Sequence, residues 1–210
     1  MHLNPEPHRP FAARQQQSQP APLAISMGDP AGIGPEIVLK ALSAIEKLRA
    51  LGQRKSGFGQ PSKGFEVRLF GDPGWLKQLG GRLGLDHWLD AATWIQWEQA
   101  CFVPAGLRQG VASAAAGQCA VDSVLAAAQG VLSGSCRALV TAPLNKQAMH
   151  LAGHPYPGHT ELLSELSGNC PVRMMLEHPK LRTVLHSIHM SLRQAIDALH
   201  SEALRQTILI

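Results

Sequence analysis

Four short segments hold residues whose types and spacing suit ligand chemistry. The first, Gly28-Asp29-Pro30-Ala31-Gly32-Ile33-Gly34-Pro35-Glu36, follows an apolar run at residues 22–27 and precedes a helical pattern from Ile37. Glycines between a strand and a helix let backbone N–H groups approach a phosphate. Here, however, they fall as G-x-x-x-G-x-G with prolines interposed, and no acidic residue ends a second strand where it would grip a ribose. The same composition also makes an ordinary strand-to-helix turn. The second segment, Thr141-Ala142-Pro143-Leu144-Asn145-Lys146, directly follows the apolar run Ala138-Leu139-Val140. In an α/β sheet the carboxyl end of a strand presents side chains to ligands. Lys146 then either offers an ammonium to a phosphate or an oxyanion, or is a solvated lysine at a helix start.

The third segment is Pro157-Gly158-His159-Thr160-Glu161, just ahead of a helical pattern that runs to Leu166. Free N–H groups at a helix start favour an anion, and His159 and Thr160 both hydrogen-bond polar substrates. The alternative is that Thr160 simply caps the helix. The fourth is Leu185-His186-Ser187-Ile188-His189-Met190. Two histidines three apart do not share a strand face, so they do not form a matched chelating pair. His189, at the carboxyl end, is the candidate metal ligand, whereas His186 suits packing or a strand-end hydrogen bond.

Positioning these segments requires alternating strands and helices. Strand patterns at residues 22–27, 65–70, 93–97 and 138–141 alternate with helical ones at 37–51, 75–83 and 112–132. Strands at 172–176 and 182–187 follow, and Ser191 starts a further helix. This order predicts an α/β fold with a largely buried sheet. Residues 1–21, rich in Gln, Pro and Arg, are expected to form a disordered tail, and the Gly-rich stretch 52–64 a surface loop. Residues 22–210 are then the α/β region, with one to two cores.

Composition narrows the partners. Nineteen Lys and Arg oppose fifteen Asp and Glu, but the positive residues are scattered with few aromatic neighbours, which argues against nucleic acid. The apolar stretches fall far short of the roughly 20 residues that span a bilayer. Four widely spaced cysteines, with no C-x-x-C pair and no apolar leader ahead of them, suggest a reducing cytoplasm.

Taken in order, M-G-D-P-A-G-I-G-P-E, T-A-P-L-N-K, G-H-T-E-L-L, M-M-L and H-S-I-H-M-S-L-R resemble the 4-hydroxythreonine-4-phosphate dehydrogenase family of pyridoxal phosphate biosynthesis, from about Ala24 onward. The resemblance implies an isocitrate/isopropylmalate dehydrogenase-like fold, two α/β domains flanking a cleft, and a homodimer sharing its active sites. The implied reaction is oxidation of 4-phosphooxy-L-threonine by NAD (or NADP), followed by loss of CO2 to give 3-amino-2-oxopropyl phosphate. A divalent metal, Zn, Mg or Co, would acidify the alcohol and stabilise the enolate.

By the same resemblance, His159 and Thr160 match substrate-binding positions and His189 the first of three metal-binding histidines. Asp29 and Lys146 lie in matching segments and are candidates for the cleft. The family continues beyond residue 210, and its NAD site, remaining phosphate contacts and other two metal histidines lie there. No cofactor-binding or catalytic residue is therefore assigned here. On this reading the chain is incomplete, and the 210-residue polypeptide is expected to be inactive alone. The alternatives are a dehydrogenase of 4-phosphorylated threonate or erythronate, a noncatalytic remnant, and a generic phosphate-binding α/β protein.

Overall fold

The structure, a computed structural model, describes residues 20–50, 65–89, 92–188 and 190–210. Nearly all of the expected N-terminal tail, the loop at 52–64 and His189 lie outside the described residues. The chain divides into two compact units, Met1–His154 and Pro155–Ile210.

In the first unit, strands β1 (Leu23–Ser26), β2 (Val67–Gly71), β3 (Ile95–Gln99) and β4 (Ala138–Thr141) form a sheet in the order β3-β2-β1-β4. Every neighbouring pair is parallel. Helices connect them: α1 (Gly34–Ala50), α2 (Pro73–Arg82), the short α3 (Asp86–Leu89) and α4 (Ala114–Leu132), with α5 (Lys146–Leu151) after β4. Alternation along each strand sorts side chains between the two faces. Ile25, Val67 and Leu69 pack with Val38, Leu39 and Leu42 of α1 and Leu76 of α2. Ala24 and Phe70 point the other way, against Ala127 of α4. Burying each such large apolar side chain contributes about 1.5–3 kcal/mol, so both faces of the sheet need their helices.

Local signals set the element ends. Asp72 caps α2 by accepting from the Trp75 N–H at 3.1 Å, and Pro73 opens the helix where its missing N–H costs nothing. The helix expected from residue 75 therefore begins two residues earlier, and the turn at 71–74 is its cap. The strand expected at 93–97 lies at Ile95–Gln99, and α3 is not foreseen by the apolar pattern. Ser113 caps α4, and Gly134, with φ 78°, follows its end. β4 borders the sheet, where Val140 is 45 % exposed, so burial is less complete than the sequence predicts at this strand.

The second unit holds α6 (His159–Leu166), strands β5 (Met175–His178) and β6 (Leu181–Val184), α7 (Leu192–Asp197) and α8 (Ser201–Leu209). The strands form an antiparallel hairpin with His178 opposite Leu181, so the turn at Pro179-Lys180 sets their limits. They sit a few residues away from the expected bounds for that reason. Ser191 and Gln194 form a reciprocal capping box at the start of α7.

α4 crosses α5 so closely that a Cβ on Gly117 would overlap the Ala148 carbonyl. Gly81 of α2, by contrast, has open space around its Cβ position. Gly117→Ala is expected to lower stability by about 1–3 kcal/mol, as overpacking does. Gly81→Ala is expected to raise it by about 0.5–1 kcal/mol through helix propensity. Urea midpoints of the two variants measured side by side check both signs.

Candidate functional site

The chain lays β2 and β3 to one side of β1 and then returns to place β4 on the other. The strand order thus reverses between β1 and β4, and a crevice opens there at the carboxyl ends of open α/β sheets. The segments that follow these two strands are the Gly-rich turn and Thr141–Lys146, and they are bonded to each other. The Ala142 N–H donates to the Ser26 carbonyl at 3.2 Å, and the Asp29 N–H donates to the Pro143 carbonyl at 3.0 Å.

That approach explains two of the glycines. Gly28 has φ 74°, and a Cβ there would collide with the Pro143 carbonyl oxygen. A Cβ on Gly34 would lie 2.9 Å from the Met27 oxygen and 3.1 Å from the Pro143 oxygen. The space beside both glycines is filled by this protein's own backbone. The turn therefore does not fit a dinucleotide pyrophosphate, which needs that space for itself.

Asp29 is buried, and its Oδ1 accepts from the Ala31 N–H at 2.7 Å while its carbonyl accepts from Gly32 at 3.0 Å. Burial pushes its carboxyl above the usual carboxylate range, with the Ala31 N–H pulling the other way. Its visible work is to hold the turn in shape. Two further groups brace the same turn: Gly110 N–H donates to the Ala31 carbonyl at 2.7 Å, and Gln109 Nε2 to that of Pro30 at 3.0 Å. Sequence reasoning misses both, because nothing in a local pattern links positions about eighty residues apart.

Lys146 is the first residue of α5, which Asn145 caps by accepting from Ala148 N–H at 3.1 Å. The helix-start reading is thus the observed local structure. The ammonium is exposed and has no ion-pair partner among the described residues, so it stays available to an anion.

In the second unit, α6 begins at His159, with Gly158 in extended backbone at its N-cap and no side-chain cap. Thr160 lies inside the first turn and is exposed, which rules out the reading in which it caps the helix. His159 is half-buried, and its Nε2 is fully buried without a hydrogen-bond partner among the described residues. Burial lowers its pKa from the ordinary histidine value, which favours the neutral ring. Leaving such a nitrogen unpaired costs about 1–3 kcal/mol, a cost that a hydrogen-bonding ligand would remove.

His186 lies beyond β6, and its Nδ1 is 3.0 Å from Thr207 Oγ1, the strand-end hydrogen bond anticipated for it. Among the described residues no three His, Cys, Asp or Glu side chains come together as a metal ion needs. The described residues alone therefore do not fit a metal centre. No helix among them is long and apolar enough to cross a membrane.

A family model described as pyridoxal phosphate biosynthetic protein PdxA matches residues 72–210. The chain is 36 % identical over 190 residues to a D-threonate 4-phosphate dehydrogenase of Salmonella typhimurium, an alignment covering 84 % of this chain and 53 % of that protein. It is 35 % identical over 192 residues to a 4-hydroxythreonine-4-phosphate dehydrogenase of Beijerinckia indica, covering 83 % of this chain and 50 % of the relative. Among solved structures, a 4-hydroxythreonine-4-phosphate dehydrogenase from Burkholderia phymatum superposes with a TM-score of 0.73 at 29 % identity, covering 90 % of this chain and 56 % of that one. The α/β fold expected from the sequence is thus shared with these dehydrogenases. The chain spans about half the length of the curated relatives it matches.

Two measurements test the electrostatics. Asp29→Asn keeps the acceptor for Ala31 and removes a buried charge, so it is expected to match or exceed the parent in stability at neutral pH. Asp29→Ala loses the bond and is expected to cost about 1 kcal/mol by denaturant titration. For His159, the unfolded chain takes up the proton first as pH falls, because the folded imidazole titrates below its ordinary value. Stability from this group is therefore complete above the ordinary histidine range and is lost as pH falls through the lowered folded value. His159→Gln is expected to flatten that part of a stability–pH profile.

Proposed function

We propose that this chain, which belongs to the PdxA family of pyridoxal phosphate biosynthetic proteins, forms part of an NAD-dependent dehydrogenase acting on 4-phosphooxy-L-threonine. The product would be 3-amino-2-oxopropyl phosphate, after loss of CO2. The observation that carries this reading is the buried Nε2 of His159, without a partner among the described residues, at the open start of α6 beside the exposed Thr160.

A neutral imidazole held in a fixed position hydrogen-bonds a substrate hydroxyl without competing as a charge. The Thr160 hydroxyl adds a short-range contact, and the first N–H groups of α6 favour an anionic group such as a phosphate. Separately, in the first unit, Lys146 offers an exposed ammonium donor at the strand-order reversal. These residues bind and orient. When bound, NAD or NADP supplies the hydride acceptor and a divalent cation (Zn, Mg or Co) supplies Lewis acidity. His189 is proposed as a ligand of that cation on the resemblance alone. A homodimer working on a small phosphorylated substrate in the cytoplasm belongs to the same proposal.

A second reading has its own support, because the Salmonella typhimurium relative at 36 % identity and one from Cupriavidus necator at 37 % are both named D-threonate 4-phosphate dehydrogenase. The two substrates differ in an amine against a hydroxyl beside the reacting carbon. That change leaves the phosphate and the oxidised alcohol in place, so His159 and Thr160 serve both readings.

The test is NAD(P) reduction by a polypeptide of the relatives' full length that contains these residues, with each phosphorylated substrate in turn. The preferred substrate is the one with the higher kcat/KM. His159→Asn is expected to lower that kcat/KM by about 10- to 100-fold, as loss of one strong hydrogen bond does. Absence of turnover with both substrates, or a His159→Asn enzyme equal to the parent, overturns the proposal.

A further inference from the structure

The second unit contains a cavity of about 380 Å³ with Arg173, His186 and Thr207 among its walls, together with Val184, Leu204 and Ile208. This volume lies in the lower part of the range for small-molecule clefts, about 300–1,000 Å³. Its polar groups converge on one buried hydroxyl. Thr207 is 8 % exposed, and its Oγ1 donates to the Ala203 carbonyl at 3.1 Å. With that proton committed, the oxygen's two lone pairs accept from Arg173 Nε and His186 Nδ1, both at 3.0 Å. Arg173 Nη1 donates to the Val172 carbonyl at 2.8 Å.

The guanidinium is therefore held by two neutral acceptors and retains three of its five N–H groups. Arg182 and Arg205 of the same unit pair with Glu177 and Glu202, whereas Arg173 has no carboxylate partner among the described residues. A fixed guanidinium with no ion-pair partner among the described residues, beside the aliphatic walls that Ile210 completes, is complementary to one kind of ligand. We propose that this cavity binds a small organic anion, a carboxylate with a short aliphatic body. The carboxylate lies on the free edge of Arg173, and the body lies against Val184, Leu204 and Ile208. The site is independent of His159, Thr160 and the dehydrogenase reading.

The test is isothermal titration of the whole chain with 4-methylpentanoate, its uncharged amide, and inorganic phosphate. Saturable one-to-one binding of the carboxylate is expected, with the amide and phosphate each weaker by about tenfold or more. Arg173→Met is expected to weaken carboxylate binding to a similar extent. If that variant does not fold, Ile208→Glu decides: its side chain is 75 % exposed, so the fold tolerates it, and a like charge at the mouth weakens binding. No saturable binding, an amide equal to the carboxylate, phosphate equal to the carboxylate, or Ile208→Glu or folded Arg173→Met binding like the parent each overturns the proposal.

Discussion

The hydrogen bond from the Asp29 amide to the Pro143 carbonyl is the contact on which the first unit's candidate site depends. It joins the segments leaving two neighbouring parallel strands, and it is only reachable because Gly28 takes φ 74° with no side chain to block the approach. From that contact the rest of the edge is placed. Asp29 closes the turn onto Ala31, Gly34 lets α1 start against the same carbonyl, and Asn145 caps the helix that carries Lys146. A parallel sheet needs long crossovers to bring its strands together. Here residues more than a hundred positions apart meet through a backbone bond instead of through side-chain chemistry.

Burial acts on two ionisable groups of the candidate sites in opposite directions with one result. Asp29 is pushed up and His159 down, so each favours its uncharged form more than a solvated side chain would. The consequences differ because their partners differ. Asp29 has a backbone N–H on its carboxylate, which makes it a structural fastening. His159 has a buried nitrogen with no partner among the described residues, and this carries a standing cost. A polar group that the fold leaves unpaid marks a ligand contact more clearly than its residue type does.

Most of the first unit was legible because its elements are bounded by strong local chemistry. The strand at Ala138–Thr141 and the alanine-rich α4 follow from apolar spacing and the glycine after the helix. Errors occur where two signals overlap. Gly71-Asp72-Pro73-Gly74 has turn composition, yet Asp72 followed by proline is also a helix cap, and the cap wins because Trp75 and Val103 both donate to the same carboxylate. At Thr160 the capping preference of threonine is real, but the helix is capped two residues sooner, at Gly158, which leaves Thr160 exposed in the first turn. The bracing of the Gly-rich turn by Gln109 and Gly110 has no sequence signature, since it arises only once the sheet is closed.

The second unit is organised by polar contacts more than by a core. Every residue of the β5–β6 hairpin is exposed, and a two-stranded hairpin has marginal stability in water. A backbone bond from the Leu185 N–H to the Met174 carbonyl at 2.9 Å closes its open end, and Thr207 ties that end to α8. Arg173 precedes β5, His186 follows β6, and both reach the same hydroxyl on α8. One buried oxygen thereby fastens the two open ends of the hairpin to a helix that contributes little other burial. Such a three-way junction confers geometry at modest net energy, because each hydrogen bond replaces one made to water. The same junction immobilises the guanidinium at the cavity wall, so the feature that orders the hairpin is also the one that pre-positions a cation for a ligand.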